Sequence, residues 1–164
     1  MTPPTPPPSR FQHILFCTDF SESADAAFEF ALDAVVRRPG SKLHLLHVIP
    51  EPDAQFWKSY LNEVENIDAA ARKAIDEKIA AAYRSRVPPG VELTVAIRIG
   101  PDAATILEYA RTAQIDLMVL GRHGHGGVGK ALFGSVAEKV VRKAECAVLV
   151  VPLSYAKAAG RPGS

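Results

Sequence analysis

Short apolar runs and runs of helical period take turns along this chain, and that alternation constrains its fold more than any other property. Phe11 to Cys17, Lys42 to Ile49, Glu92 to Ile99, Leu117 to Leu120 and Ala147 to Val151 are strand-length segments rich in β-branched and aliphatic residues. After the first comes an apolar stripe at helical spacing, Ala24, Ala27, Phe28, Ala31, Leu32 and Val35, ending near Pro39-Gly40. A long Ala-rich helix follows the second strand through Leu61, Val64, Ile67, Ala71, Ile75 and Ile79, and Pro88-Pro89-Gly90 stops it. Ile106, Leu107 and Ala110 mark a third helix, and Val136, Val140 and Val141 a fourth. The order is therefore strand-helix four times, then a strand. Sequential parallel strands need a helix-length crossover of fixed hand, so this pattern predicts an α/β fold: an open parallel five-stranded sheet with helices on both faces. The expected strand order is 3-2-1-4-5.

With 164 residues and 48% hydrophobic content, the chain has enough apolar material for one core without metal or disulfide support. The expected domain spans residues 11–153. Residues 1–10, with five prolines, read as a disordered tail, and residues 154–164 as a flexible one. A formal net charge of +1 gives no electrostatic case for nucleic acid or a membrane surface. No apolar run reaches the roughly 18 residues of a membrane span, and the start lacks the charged-then-apolar order of a signal peptide. Cys17 and Cys146 sit at strand boundaries and read as buried thiols of a reducing compartment. The expectation is a soluble cytoplasmic protein.

In open parallel sheets ligands bind at the carboxyl ends of strands, where the strand order reverses. With the order 3-2-1-4-5 that point lies between strands one and four, which brings Thr18-Asp19 and the turn starting at Gly121 to one cleft. That turn holds more than half of the chain's 11 glycines. Glycines let backbone approach a ligand closely, and a helix opening at Gly134-Ser135 offers free N–H groups to an anion, so a nucleotide phosphate is the expected ligand. Two familiar patterns fail on inspection. Gly124-His-Gly126-Gly-Val-Gly129 imitates a dinucleotide fingerprint, but it follows the fourth strand and the next strand ends at Val150-Val151 without an acid. Gly124 to Lys130 imitates a P-loop, but Ala131 supplies no hydroxyl for a metal ion.

A longer spacing fits completely: Gly121, two residues, Gly124, nine residues, then Gly134-Ser135. In this the chain resembles the ATP-binding branch of the universal stress protein family. His13-Ile-Leu-Phe-Cys-Thr-Asp-Phe-Ser is similar to that family's opening strand, Leu45-Leu-His-Val-Ile to its second and Ala147-Val-Leu-Val-Val-Pro to its last. The resemblance covers about Phe11 to Pro152 and implies a Rossmann-like, adenine nucleotide alpha hydrolase-like fold. It also implies roles. Asp19 would edge the adenosine pocket beside Thr18, and Val48 would offer backbone groups to adenine. Leu120 and Gly121 would line the ribose side, and Gly124 would let the loop approach the phosphates. Gly134, Ser135 and Val136 would supply main-chain N–H groups and one hydroxyl.

Each residue also has a plainer reading. Asp19 suits a turn or helix cap in Asp-Phe-Ser-Glu, and Ser135 suits an N-cap. Arg122 and Lys130 flank the loop, where they either neutralise phosphate charge or are merely solvated. His123 and His125 lack a third ligand nearby in sequence, so no metal site of the protein's own is expected; a divalent ion such as magnesium would enter with the nucleotide. His44 and His47, three positions apart on a strand, point to opposite faces and read as structural.

The expected function is an adenine-nucleotide binding module, with ATP as ligand, acting in stress response or regulation with little turnover. The sequence shows a phosphate cradle but no positioned base or nucleophile. A slow hydrolase or transferase, and a nucleotide-free interaction module, are the alternatives. The resemblance further implies a homodimer through Ala147 to Val151, an apolar strand at a sheet edge.

Overall fold

A computed structural model describes residues 2–5, 10–50, 67–122 and 134–159. The elements are β1 (His13–Thr18), α1 (Glu22–Val36), β2 (Lys42–Ile49), α2 (Ile67–Ala82), a 3₁₀ turn (Arg84–Arg86), β3 (Glu92–Ile99), α3 (Asp102–Thr112), β4 (Leu117–Gly121), α4 (Ser135–Lys143), β5 (Ala147–Val151) and α5 (Leu153–Ala159). All strand pairs are parallel, as the alternation predicts, and the sheet order is β3-β2-β1-β4-β5, the expected one.

The central strand is covered on both faces. Ile14, Leu15 and Phe16 of β1 are fully buried, because a middle strand covered by helices on both faces cannot afford a polar alternation. The edge strands β3 and β5 instead alternate between exposed and covered positions. Two apolar layers result. One gathers Ile14 and Phe16 with Ala27, Phe28, Ala31 and Val35 of α1, Ile79 of α2 and Tyr83. Its aromatic heart is a trio, with Phe16, Phe28 and Tyr83 centroids 4.8 to 5.2 Å apart in tilted or edge-on contact. The other layer sets Leu15, Leu46, Met118 and Leu120 against Ile106, Tyr109 and Ala110 of α3 and Ala137 and Val140 of α4. Val141, placed on α4's apolar face by its spacing, is 46% exposed.

Several boundaries differ from the sequence reading, among them β4, which runs one residue further to Gly121. β1 starts at His13, because the amides of Gln12 and His13 both donate to the Asp116 carboxylate at 2.8 Å; it then runs on to Thr18. α2 ends at Ala82, well before Pro88, and passes into the 3₁₀ turn, which Arg86 ties to Asp25 and Glu29 of α1. Residues 154–159, assigned to the tail, belong with Leu153 to α5 (Leu153–Ala159), which packs on α1 with Tyr155 against Phe30 and Lys157 3.1 Å from Glu22. The stretch of the long helix expected around Leu61 and Val64 lies outside the described residues.

Candidate functional site at the carboxyl edge of the sheet

Because every strand runs the same way, Thr18, Ile49, Ile99, Gly121 and Val151 end along one edge. At its middle, β1 and β4 lie side by side and their chains leave to opposite faces, β1 into α1 and β4 toward α4. The strand order reverses here, which opens a crevice between the two turns.

The β1–α1 turn is locked from several sides. Thr18 is buried, and its Oγ1 shares a 2.6 Å hydrogen bond with the Tyr83 hydroxyl while accepting the Phe20 N–H at 2.9 Å. Asp19 Oδ1 accepts the Ser21 N–H at 2.9 Å, closing a turn of the kind Asp favours. Ser21 is the N-cap, its Oγ accepting the Ala24 N–H at 3.1 Å. The plainer reading of Asp19 thus divides between two residues: Asp19 makes the turn and Ser21 the cap. Phe20 has a φ of 64°, a left-handed conformation that an aromatic residue adopts only under outside constraint. Its ring stacks on Tyr83, meets His47 at 4.7 Å between centroids and carries the Lys78 ammonium 4.3 Å above it.

The β4–α4 turn is built differently. Leu120 is buried in the layer that also holds Cys17, Val48 and Val136. Gly121 is required by packing: a Cβ there would stand 2.6 Å from Ser23 Oγ and 2.7 Å from the Ser23 carbonyl, so only glycine lets β4 pass the start of α1. Arg122 donates its N–H to the Val151 carbonyl at 3.1 Å and accepts the Gly134 N–H at 2.6 Å, which brings the two ends of the glycine turn together. Gly124, His123, His125 and Lys130 lie outside the described residues. Gly134 is the N-cap of α4, so Ser135 is not the cap but the first helical residue, exposed; Val136 is half-buried. No side chain among the described residues caps this helix. The Gly134 N–H is already engaged, so the donors this end presents belong to the first helical turn.

Val48 lies just past the last β1–β2 register pair, Thr18 with His47. The Ile49 carbonyl points toward β3, accepting the Gly100 N–H at 3.1 Å, so strand alternation turns the backbone groups of Val48 toward β1. Phe20, the next residue on that side able to donate, gives its N–H to Thr18 Oγ1 instead.

Sequence reasoning missed Tyr83 and Phe20 and read His47 as merely structural. Tyr83 was legible as the continuation of the Ile75, Ile79 stripe by four residues; Phe20 carries no such signal, because its place depends on a backbone conformation. His47 Nδ1 donates to the Thr18 carbonyl at 2.8 Å. Burial lowers its pKa, and Lys78 adds to this; the bond to Thr18 and the carboxylates of Asp19 and Asp102 oppose it. His44, on the opposite face as alternation requires, pairs with His13 at 3.2 Å and with the Tyr109 hydroxyl at 3.0 Å, away from the cleft. Burial pushes the Cys17 thiol far up, with Cys146 adding to the effect, which favours the protonated thiol. Chemically, the edge presents a fixed carboxylate, the aliphatic side chains of Val48 and Leu120, and a helix start capped by a glycine.

Residues 10–152 match the model of the universal stress protein family. Universal stress protein A homolog 1 of Coxiella burnetii is 30% identical over 147 residues, covering 87% of this chain and 96% of the relative. The solved structure of MJ0577, a universal stress protein of Methanocaldococcus jannaschii, is similar with a TM-score of 0.72 at 29% identity, over 88% of this chain and 97% of that one. A universal stress protein solved in complex with cAMP shares the fold at 23% identity and a TM-score of 0.57, over 88% of this chain and 99% of that one. The glycine spacing, the sheet order and a family match running from Arg10 to Pro152 converge: the chain belongs to the universal stress protein family.

Proposed function

We propose that the crevice between β1 and β4 binds an adenine nucleotide, ATP in its expected form, and that the protein acts as a binding module in stress response or regulation with little or no turnover. The observation that carries this reading is the pairing of an α4 start whose cap, Gly134, has no side chain with a chain end after β4 that holds it in place through the Gly134 to Arg122 hydrogen bond. Orphan N–H groups and the helix dipole there favour phosphate oxygens. Ser135 adds a hydroxyl and Arg122 a positive charge. At the other end of the crevice the Val48 carbonyl suits the exocyclic amine of adenine, and the aliphatic side chains of Val48 and Leu120 suit its ring. Asp19 suits the ribose hydroxyls. Gly124 joins the set by its place in the glycine spacing. A magnesium ion would accompany the phosphates.

Release of small molecules from freshly purified protein, read by mass spectrometry, tests base and phosphate number together. A saturable thermal shift with ATP or AMP and negligible product over hours is the expected outcome. Absence of any shift with adenine nucleotides would leave an interaction module, and multiple turnover that vanishes on changing Ser135 would leave a hydrolase.

The edge strand β5 supports a homodimer, since Leu149 is 39% exposed on an otherwise apolar strand. Solution mass should be that of a dimer and should halve on Leu149→Lys. The cytoplasm is the compartment where such a module meets ATP; no helix among the described residues is long and apolar enough to cross a membrane.

A further inference from the structure

We propose that His47, on β2, is a positioning residue of the cleft: by donating from Nδ1 to the Thr18 carbonyl, it fixes the Thr18–Asp19 peptide and so the direction of the Asp19 carboxylate. The consequence for ligand affinity rests on the nucleotide reading above; the positioning itself does not.

The geometry has three parts. First, the carbonyl of Thr18 can only accept, so the 2.8 Å contact requires the proton on Nδ1 and selects one tautomer of the neutral ring. Second, the peptide that this bond holds leads directly into Asp19, whose Oδ1 accepts the Ser21 N–H. Third, the next residue, Phe20, stands at a φ of 64° with its ring against the same imidazole at 4.7 Å. A left-handed aromatic residue persists only where its surroundings over-determine it, and here they are Tyr83, Lys78, Thr18 Oγ1 and His47. Thr18 Oγ1 anchors the turn from its buried side, and His47 anchors it from the neighbouring strand. Without the second anchor, rotation of the 18–19 peptide would carry the carboxylate away from the crevice. A purely structural histidine would need no particular ring nitrogen bonded to this peptide.

Two variants separate the donor from the ring. His47→Phe keeps an aromatic ring against Phe20 and removes the N–H; His47→Asn places an amide N–H where Nδ1 stands. In the nucleotide-free protein, the Ser21 amide resonance reports the Asp19 hydrogen bond directly. It should move in His47→Phe and stay in His47→Asn. ATP affinity, measured by calorimetry, should fall roughly tenfold in His47→Phe, the net worth of about one hydrogen bond, and return to near the wild-type value in His47→Asn. In a double-mutant cycle, Asp19→Ala should absorb most of the His47→Phe loss. An unmoved Ser21 amide in His47→Phe, or a moved one in His47→Asn, overturns the positioning whatever ATP does. A moved amide in a wild-type background that binds no adenine nucleotide upholds the positioning and sinks the nucleotide reading. A moved amide with equal ATP affinity in wild type and His47→Phe overturns the link to binding.

Discussion

The helices that follow β1 and β4 begin in opposite ways. At the start of α1 every available device is used: Ser21 caps, Asp19 closes the turn before it, and Thr18 accepts the Phe20 N–H. At the start of α4 the cap is a glycine with no side chain to offer, and among the described residues a backbone bond from Gly134 to Arg122 holds the chain. A helix start that satisfies its own donors has nothing left for an anion, whereas an unsatisfied one has several. The contrast matches the duties proposed for the two turns, rigidity for the first and phosphate recognition for the second.

The contrast breaks most visibly at Ser135. Ser135→Asp should weaken ATP binding about a hundredfold by setting like charge against phosphate. The same substitution should stabilise the fold by about 0.5 kcal/mol, since an acidic side chain in the first turn complements the helix dipole. Calorimetry and urea denaturation together check this, and a loss of stability with affinity intact would reverse the assignment. Thr18→Val should cost about 2 kcal/mol in urea, because the Tyr83 hydroxyl and Phe20 N–H both lose a partner in a buried place. Ser21→Ala, which removes the cap of α1, should cost about 1 kcal/mol and leave ATP affinity within about twofold.

The smallest effect sharpens the picture of the rigid turn. The pKa of His47 is lowered in the folded state from 6.5, chiefly by burial, so the unfolded chain binds the proton more readily. Its contribution to stability is therefore complete above about pH 6.5 and is lost as pH falls through the lower folded value. His44, lowered by burial, then by His13 and Lys42, acts in the same direction. Denaturation midpoints should decline from pH 7 to pH 5, and His47→Asn should remove part of that slope while His44 maintains the remainder.

The sheet was legible because its cause is local. Strands β2, β3 and β5 have the limits that their apolar runs predict, and the order of elements required parallel pairing. The long glycine spacing likewise identified the family, because it depends on count alone. What stayed hidden depends on tertiary approach. Gly121 read as a lining residue of the cleft, yet the backbone of Ser23 is what forbids a side chain there. Tyr83 meets Thr18 across 65 residues of chain, a contact no window of sequence contains. The end of the chain also departs from the tail expected there, where a short run after Pro152 forms α5 by leaning on α1.

The place of β1 in the middle of the sheet has a consequence for how the chain reaches this structure. Its carboxyl-side neighbour in the sheet comes late: His13 and Asp116, bonded through the amide of the first and the carboxylate of the second, are 103 residues apart. Early in synthesis β1, α1 and β2 can assemble from near contacts, but the central strand then keeps one edge unpaired, which exposes the chain to aggregation and slows completion of the core. β4 must emerge to close that edge. Gly134 and the Arg122 carbonyl it bonds follow β4 in the chain, so the seat proposed for phosphate is made from residues synthesised after the strand that closes that edge.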